Sequence, residues 1–258
     1  EPYNNNSKES LAHLPEVRKL IFEGKEGEAA KLLDKYFVKG PHGMRFLPLG
    51  SLKLHFGHNN VTDYKRILNL ASATATTSYV CNGVKYERTV FASQTDSVII
   101  IHLKANKKDA ISFTMSFDSQ MPYTSKTQHS CQCPLVSGSG NCGGRLFATV
   151  QGVEQEGIKA GLTAQCHASV RVEGKHAGIS FPQHNKLVEI SDATEIKVMS
   201  ATEVTIYISA ATNFVNYHDI SGNAAAKNKA RLNLAEQKRF PELLKRHIAK
   251  YQEQYNRV

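Results

Sequence analysis

The chain has 258 residues, 41% hydrophobic and 21% charged, with apolar residues recurring along its whole length; that composition is globular and excludes a disordered chain. The net charge of +9 brings nucleic acid, anionic membranes and acidic glycans into consideration. The basic residues are dispersed, however, and the densest runs, Lys104/Lys107/Lys108 and Lys227 to Arg246, lack the interleaved aromatics that stack on bases, so no nucleic-acid partner is expected. No apolar run approaches the roughly 18 residues of a membrane span. Glu1-Pro2-Tyr3 reads as the interior of a loop, which leaves room for an export signal upstream.

In chain order, the first forty residues read as helical. Pro15 suits a first helical turn, Val17, Leu20 and Ile21 form a short apolar stripe, and Gly24 can end the helix. Ala29, Leu32, Leu33, Tyr36 and Phe37 follow at helical spacing until Gly40-Pro41. From Phe46 the period becomes two: Leu52, Leu54 and Phe56 alternate with Lys53 and His55. Strand-like runs 73–81 and 84–92 flank Asn82-Gly83, a dipeptide suited to a type I′ hairpin turn. Further strands are expected at 98–103 and 111–117. Residues 119–144 form a polar Gly/Ser/Cys-rich interruption. Strands are expected again at 146–153, 162–172, 187–190, 196–199 and 204–210. Beyond Gly222, residues 224–238 favour a helix. Pro241 opens a last one, with Leu244, His247, Ile248, Tyr251 and Tyr255 on one stripe. Strands at short intervals without intervening helices point to antiparallel sheets packed face to face.

Several phrases, in order, resemble the amino-terminal domain of glycoside hydrolase family 95, the α-L-fucosidase-like enzymes. They begin with Leu14-Pro15-Glu16-Val17-Arg18-Lys19-Leu20-Ile21-Phe22-Glu23-Gly24-Lys25. Phe46-Leu47-Pro48-Leu49-Gly50-Ser51-Leu52 and Asp63-Tyr64-Lys65-Arg66-Ile67-Leu68-Asn69-Leu70 follow. Next come the hairpin Asn82 to Arg88 with Phe91-Ala92-Ser93, then Ala210-Ala211-Thr212-Asn213-Phe214 and the run His247 to Arg257. The resemblance implies a mainly β fold, a large antiparallel β-sandwich (supersandwich) with N-terminal helices and a C-terminal linker helix. Residues 1–222 would form the sandwich, with helices at 13–38, and 223–258 a helical linker toward an (α/α)₆ catalytic barrel of the same protein. It implies a parent that removes α-linked L-fucose, or L-galactose, from fucosylated glycans with inversion, in the periplasm of a bacterium or outside it. The family's opening strands would lie upstream of Glu1. The catalytic groups belong to the barrel, so no catalytic residue is assigned here. A stand-alone sugar-binding module and the sandwich of a related phosphorylase are the alternatives; the lack of Trp weighs against the first.

The most site-like cluster is Asn213, Tyr217, His218 and Asp219, a group able to bind or stack on a sugar or to contact the neighbouring domain. The histidines are scattered without a His-Glu-x-x-His arrangement. Cys131, Cys133 and Cys142 fit no common zinc spacing, although a disulfide among them is compatible with an oxidising compartment. No metal and no cofactor are expected.

Overall fold

The computed structural model describes residues 9–37, 47–129, 142–155, 157, 159–181 and 194–257. It opens with α1 (Ser10–Phe22) and α2 (Glu26–Tyr36), an antiparallel pair turned by Gly24 at φ 72°. Val17 of α1 and Ala29 of α2 are buried. The His13 ring stacks on Tyr36 at 3.6 Å, and the Ser10 hydroxyl donates to the Tyr36 carbonyl over 2.7 Å. Pro15 lies inside α1 and not in its first turn as the sequence suggested. The helix starts earlier, at Ser10, and the Leu11 carbonyl goes without its i+4 donor.

Twelve strands follow among the described residues: β1 (Ser51–His55), β2 (Thr62–Asn69), β3 (Thr74–Cys81), β4 (Val84–Ser93), β5 (Val98–Ala105), β6 (Ile111–Asp118), β7 (Tyr123–His129), β8 (Cys142–Gln151), β9 (Thr163–Glu173), β10 (Gly178–Ser180), β11 (Glu195–Ala201) and β12 (Glu203–Thr212). Two helices close the chain, α3 (Ala224–Ala235) and α4 (Phe240–Tyr255). The strands form two antiparallel sheets, a four-stranded one in the order β1-β6-β11-β10 and an eight-stranded one in the order β2-β3-β4-β5-β12-β9-β8-β7. The fold is the expected β-sandwich with helices at both ends. Asn82 and Gly83 take positive φ, 50° and 74°, which is the conformation a type I′ turn demands. The expected strand at 187–190 lies outside the described residues.

Three strands were hidden from periodicity, one of them β10, which has only three residues. β7 lies within the polar stretch 119–144, where its sequence YTSKTQH shows no apolar alternation. β2 is exposed at every position, so neither face imposed a period on it. β8 also starts earlier than expected. Gly144 accounts for this, because a Cβ there would come within 3.3 Å of Ile196 and Phe181 across the sandwich.

Side-chain parity divides the eight-stranded sheet. One face contributes Leu103, Leu146, Ala148, Val170, Val172, Val204 and Ile206 to a core shared with Phe113, Met115, Ile196 and Val198 of the small sheet. The other face presents Phe91, Val98, Ile100 and Tyr207 to Leu232, Ala235 and Leu243 of the closing helices. The side of α4 turned to the sheet is therefore Leu243 and His247. The stripe expected from sequence, Leu244, His247, Ile248, Tyr251 and Tyr255, shares buried His247 with it, and Leu244 packs at the edge of the same core. Truncating Leu243 to Ala is expected to cost about 2–5 kcal/mol of stability, the usual cost of a buried Leu deletion, measured by urea unfolding.

Polar residues are also buried beneath these helices. His102 bonds through Nδ1 to Thr205 Oγ1 at 3.1 Å and stacks on Phe240 at 3.8 Å. His167 lies against Phe147 at 4.7 Å. Burial lowers both imidazoles to about 4; Lys104 adds to the effect on His102, while Arg145 and Lys126 add to it on His167. The unfolded chain takes up these protons near pH 6.5 and the folded chain near 4, so stability falls as pH drops across that window and is flat above it. The urea midpoint measured from pH 7.5 to pH 4.5 should therefore decline, and His167→Gln should reduce the slope by about one proton.

Candidate functional site

The residues singled out from sequence fall in the connection between β12 and α3, and they divide into three positions. Asn213 is the neck. Its Oδ1 accepts from the Thr163 amide at 2.9 Å and its Nδ2 donates to the Gly161 carbonyl at 3.0 Å, which ties the loop to the start of β9. Its carbonyl accepts from the Gly222 amide at 2.8 Å. That close approach needs glycine, because a Cβ on residue 222 would come within 2.8 Å of the same carbonyl. Asn223 then caps α3 by accepting from the Ala226 amide at 2.9 Å, the usual role of Asn at a helix start.

Asn216 and Asp219 face each other as an isolated antiparallel bridge, with mutual amide-to-carbonyl bonds of 3.0 and 3.1 Å. Tyr217 and His218 form the tip, their rings 3.8 Å apart, and Tyr217 is 69% exposed beside exposed Phe214 and Val215. Hydrogen bonds from Ser221 hold the Asp219 carboxyl below its ordinary range, and the amide bond measures 2.8 Å. Asp219 thus stays ionised and acts as an acceptor, well below the pKa a general acid requires. The structure brings Tyr217, His218 and Asp219 into one turn and leaves Asn213 as its anchor.

A second cluster escaped the sequence reading. Tyr79 and Tyr86 stack at 5.4 Å, and His58 Nδ1 lies 2.9 Å from the Tyr79 hydroxyl. Burial pushes the His58 imidazole down and both phenols up, so all three are neutral near pH 7. The signal for the pair was present, because a two-residue turn at Asn82-Gly83 sets Tyr79 opposite Tyr86. Packed beside Phe56, the cluster fills the end of the sandwich.

Two inward-facing carboxylates among the described residues are met by cations. Asp96, 3% exposed at its side chain, meets Lys238 at 3.4 Å and Arg246 at 3.3 Å, and Glu236 accepts from Arg145 at 2.5 Å. Cys81 and Cys166 are buried free thiols, and burial raises Cys166 to about 11. Among the described residues no group of three metal-ligating side chains is gathered. Cys131 and Cys133 lie outside the described residues, as does the side chain of Cys142.

Neck and tip should respond differently to truncation. Asn213→Ala removes partners from a backbone amide and a carbonyl, and is expected to cost about 1–3 kcal/mol. Tyr217→Ala should change stability by no more than about 0.5 kcal/mol. Paired thermal and urea unfolding would separate the two.

The chain is 26% identical over 270 residues to the α-L-fucosidase 2 of Arabidopsis thaliana, an alignment covering 99% of this chain and 30% of that relative. The chain therefore spans less than a third of that protein's length. A solved structure named "Putative kojibiose phosphorylase from human microbiome" matches over 78% of this chain and 27% of that one, at 12% identity and a TM-score of 0.36. The model of the family described as glycosyl hydrolase family 65, N-terminal domain, matches residues 1–217, more than four fifths of the sequence, and the chain belongs to that family.

Proposed function

We propose that this domain is the non-catalytic amino-terminal sandwich of a family 95-type glycosidase that removes α-linked L-fucose, or L-galactose, from glycans with inversion, in a periplasm or outside the cell. The observation that carries the reading is the reach of the fucosidase alignment. The family model ends at residue 217, whereas similarity to the plant fucosidase covers 99% of the chain and so takes in α3 and α4. Those helices are seated on the sandwich and would lead into a catalytic barrel. Residues 223–258 then act as a linker whose orientation the sheet fixes.

The chemistry of the described residues is consistent with a scaffold. Glycoside hydrolysis with inversion uses two carboxyl groups about 6.5–9.5 Å apart across the scissile bond, one of them kept protonated as the acid. Here Asp219 is held ionised by its own turn, while Asp96 and Glu236 are held by cations. Asn213, Tyr217, His218 and Asp219 are assigned to the domain contact or to the rim of the parent's sugar site.

The test compares this 258-residue chain with a parent that continues into the next domain, on 2′-fucosyllactose and on a nitrophenyl fucoside. The chain alone should release no fucose, and the parent should release β-L-fucose first, seen by proton NMR of the anomeric signal. Turnover by the isolated chain that disappears with Asp219→Asn would move the chemistry into the sandwich. Release by the parent that requires inorganic phosphate would make it a phosphorylase.

A further inference from the structure

We propose that an open groove along α4 is the seat of a helix from the part of the parent protein that follows this domain. The proposal rests on the reading above, in which the parent continues past α4. The groove encloses about 530 Å³ and is lined by α4 alone. Leu243 and His247 of the same helix are the buried residues turned to the sheet, so the groove lies on another flank.

The shape of the groove points to a helix. Its lining falls in two rows at a spacing of four, Phe240–Leu244–Ile248 and Pro241–Lys245–Ala249. Rows at that spacing are the ridges of a helix surface, and the trough between two of them accepts the ridge of a second helix. Phe240 and Leu244 pack against the core beneath, which fixes the first ridge. In the second ridge exposed Ala249 carries only a methyl group, and small side chains at the contact let two helix axes approach closely.

The lining also states what the occupant carries. The groove is apolar apart from its rim, and Lys245 is the one charged group in it. An apolar ridge with a carboxylate beside it would fill the trough and meet the ammonium, and such a pair sets register between partners. A second copy of α4 offers the same trough and the same lysine, with no acid in the lining to meet it. Connectivity favours the parent as well. The matched family is an N-terminal domain, and the alignment that takes in 99% of this chain covers 30% of the plant fucosidase. In such a parent the chain emerges at the end of α4, near Tyr255. A helix joined there by a tight turn runs back antiparallel along α4. Its local concentration is roughly millimolar for a short connection, far above that of a separate copy.

Alkylation of introduced thiols tests the proposal, in the 258-residue chain and in a parent that continues into the next domain. Ala249→Cys places a thiol in the groove. Glu253→Cys places one on exposed surface, nine residues from Leu244 and so half a turn around the helix. Reaction with iodoacetamide is followed at each residue by peptide mass spectrometry. In the 258-residue chain both thiols should react readily. In the parent the thiol of Ala249→Cys should react about tenfold more slowly or less, because it is reached only through local opening, while that of Glu253→Cys should keep its rate. Independently, Ala249→Arg should leave the thermal midpoint of the 258-residue chain unchanged and lower that of the parent. Equal alkylation of Ala249→Cys in the two proteins, a parent indifferent to Ala249→Arg, or protection that arises in the 258-residue chain as its concentration increases would each overturn the proposal, the last in favour of a second copy. Neither readout involves turnover, so the fucosidase reading can fail on 2′-fucosyllactose while the helix seat stands, and the reverse.

Discussion

The central strands of the eight-stranded sheet are buried on both faces, and the rest of the structure follows from that constraint. A sheet wet on one side needs one apolar face; this one needs two, read from alternate residues of the same strands. In β12, Val204 and Ile206 serve the sandwich core while Tyr207 serves the helices. In β5, Leu103 points one way and Val98 and Ile100 the other. A one-residue slip in register would exchange the two sets and present Tyr207 and His102 to the small sheet. The ten-pair ladder between β12 and β9 and the closed hairpin between β3 and β4 hold the register against that slip.

The two faces differ in chemistry. The face toward the small sheet is nearly all aliphatic and aromatic. The helix face mixes apolar contacts with directional ones, and these choose where the helices sit. Arg171 of β9 donates to the Glu236 and Lys238 carbonyls, and so satisfies the C-terminal end of α3 with a charge of the sign its dipole favours. The Tyr207 hydroxyl joins it by donating to the Lys238 carbonyl at 3.0 Å. Asn228, fully buried, accepts from Ser209 and donates to the Gln165 carbonyl, both at 2.9 Å. His247 lies 3.0 Å from the Ser72 carbonyl at the β2–β3 turn. Apolar packing alone would tolerate sliding of α3 and α4; buried polar groups with fixed partners do not, because displacement leaves them unpaired.

The elements whose surroundings impose a period were legible in the sequence. The hairpin at Asn82-Gly83, the alternation of β1, the stripe of α2 and the helix-favouring run 224–238 each carry a local signal. β2 and β7 are sheet edges, and an edge strand need not alternate, so their sequences resemble loops. Pro15 was misread for a related reason: the start of a helix is not set by its proline alone. The site was legible as a segment and not as a geometry. Asn213 and Asp219 stood out as polar groups after a strand, but a one-dimensional reading could not separate the neck from the tip, since the difference lies in bonds to Gly161 and Thr163, about fifty residues earlier.

The neck and the closing helices belong to one mechanical unit. Asn213 fixes the end of β12 to the start of β9, Gly222 returns the chain to the Asn213 carbonyl, and Asn223 immediately caps α3. The direction in which α3 leaves the sheet is therefore set by the bonds of Asn213, Gly222 and Asn223, before any of its side chains pack. Arg171 then holds the far end of the same helix, and Asp96, from the β4–β5 turn, grips Lys238 and Arg246 on either side of the corner into α4. The contacts come from the two ends of β9 and from the β4–β5 turn, so the helix pair is held at several points of the sheet. Buried charges spent in this way fix the orientation of the helix pair on the sheet.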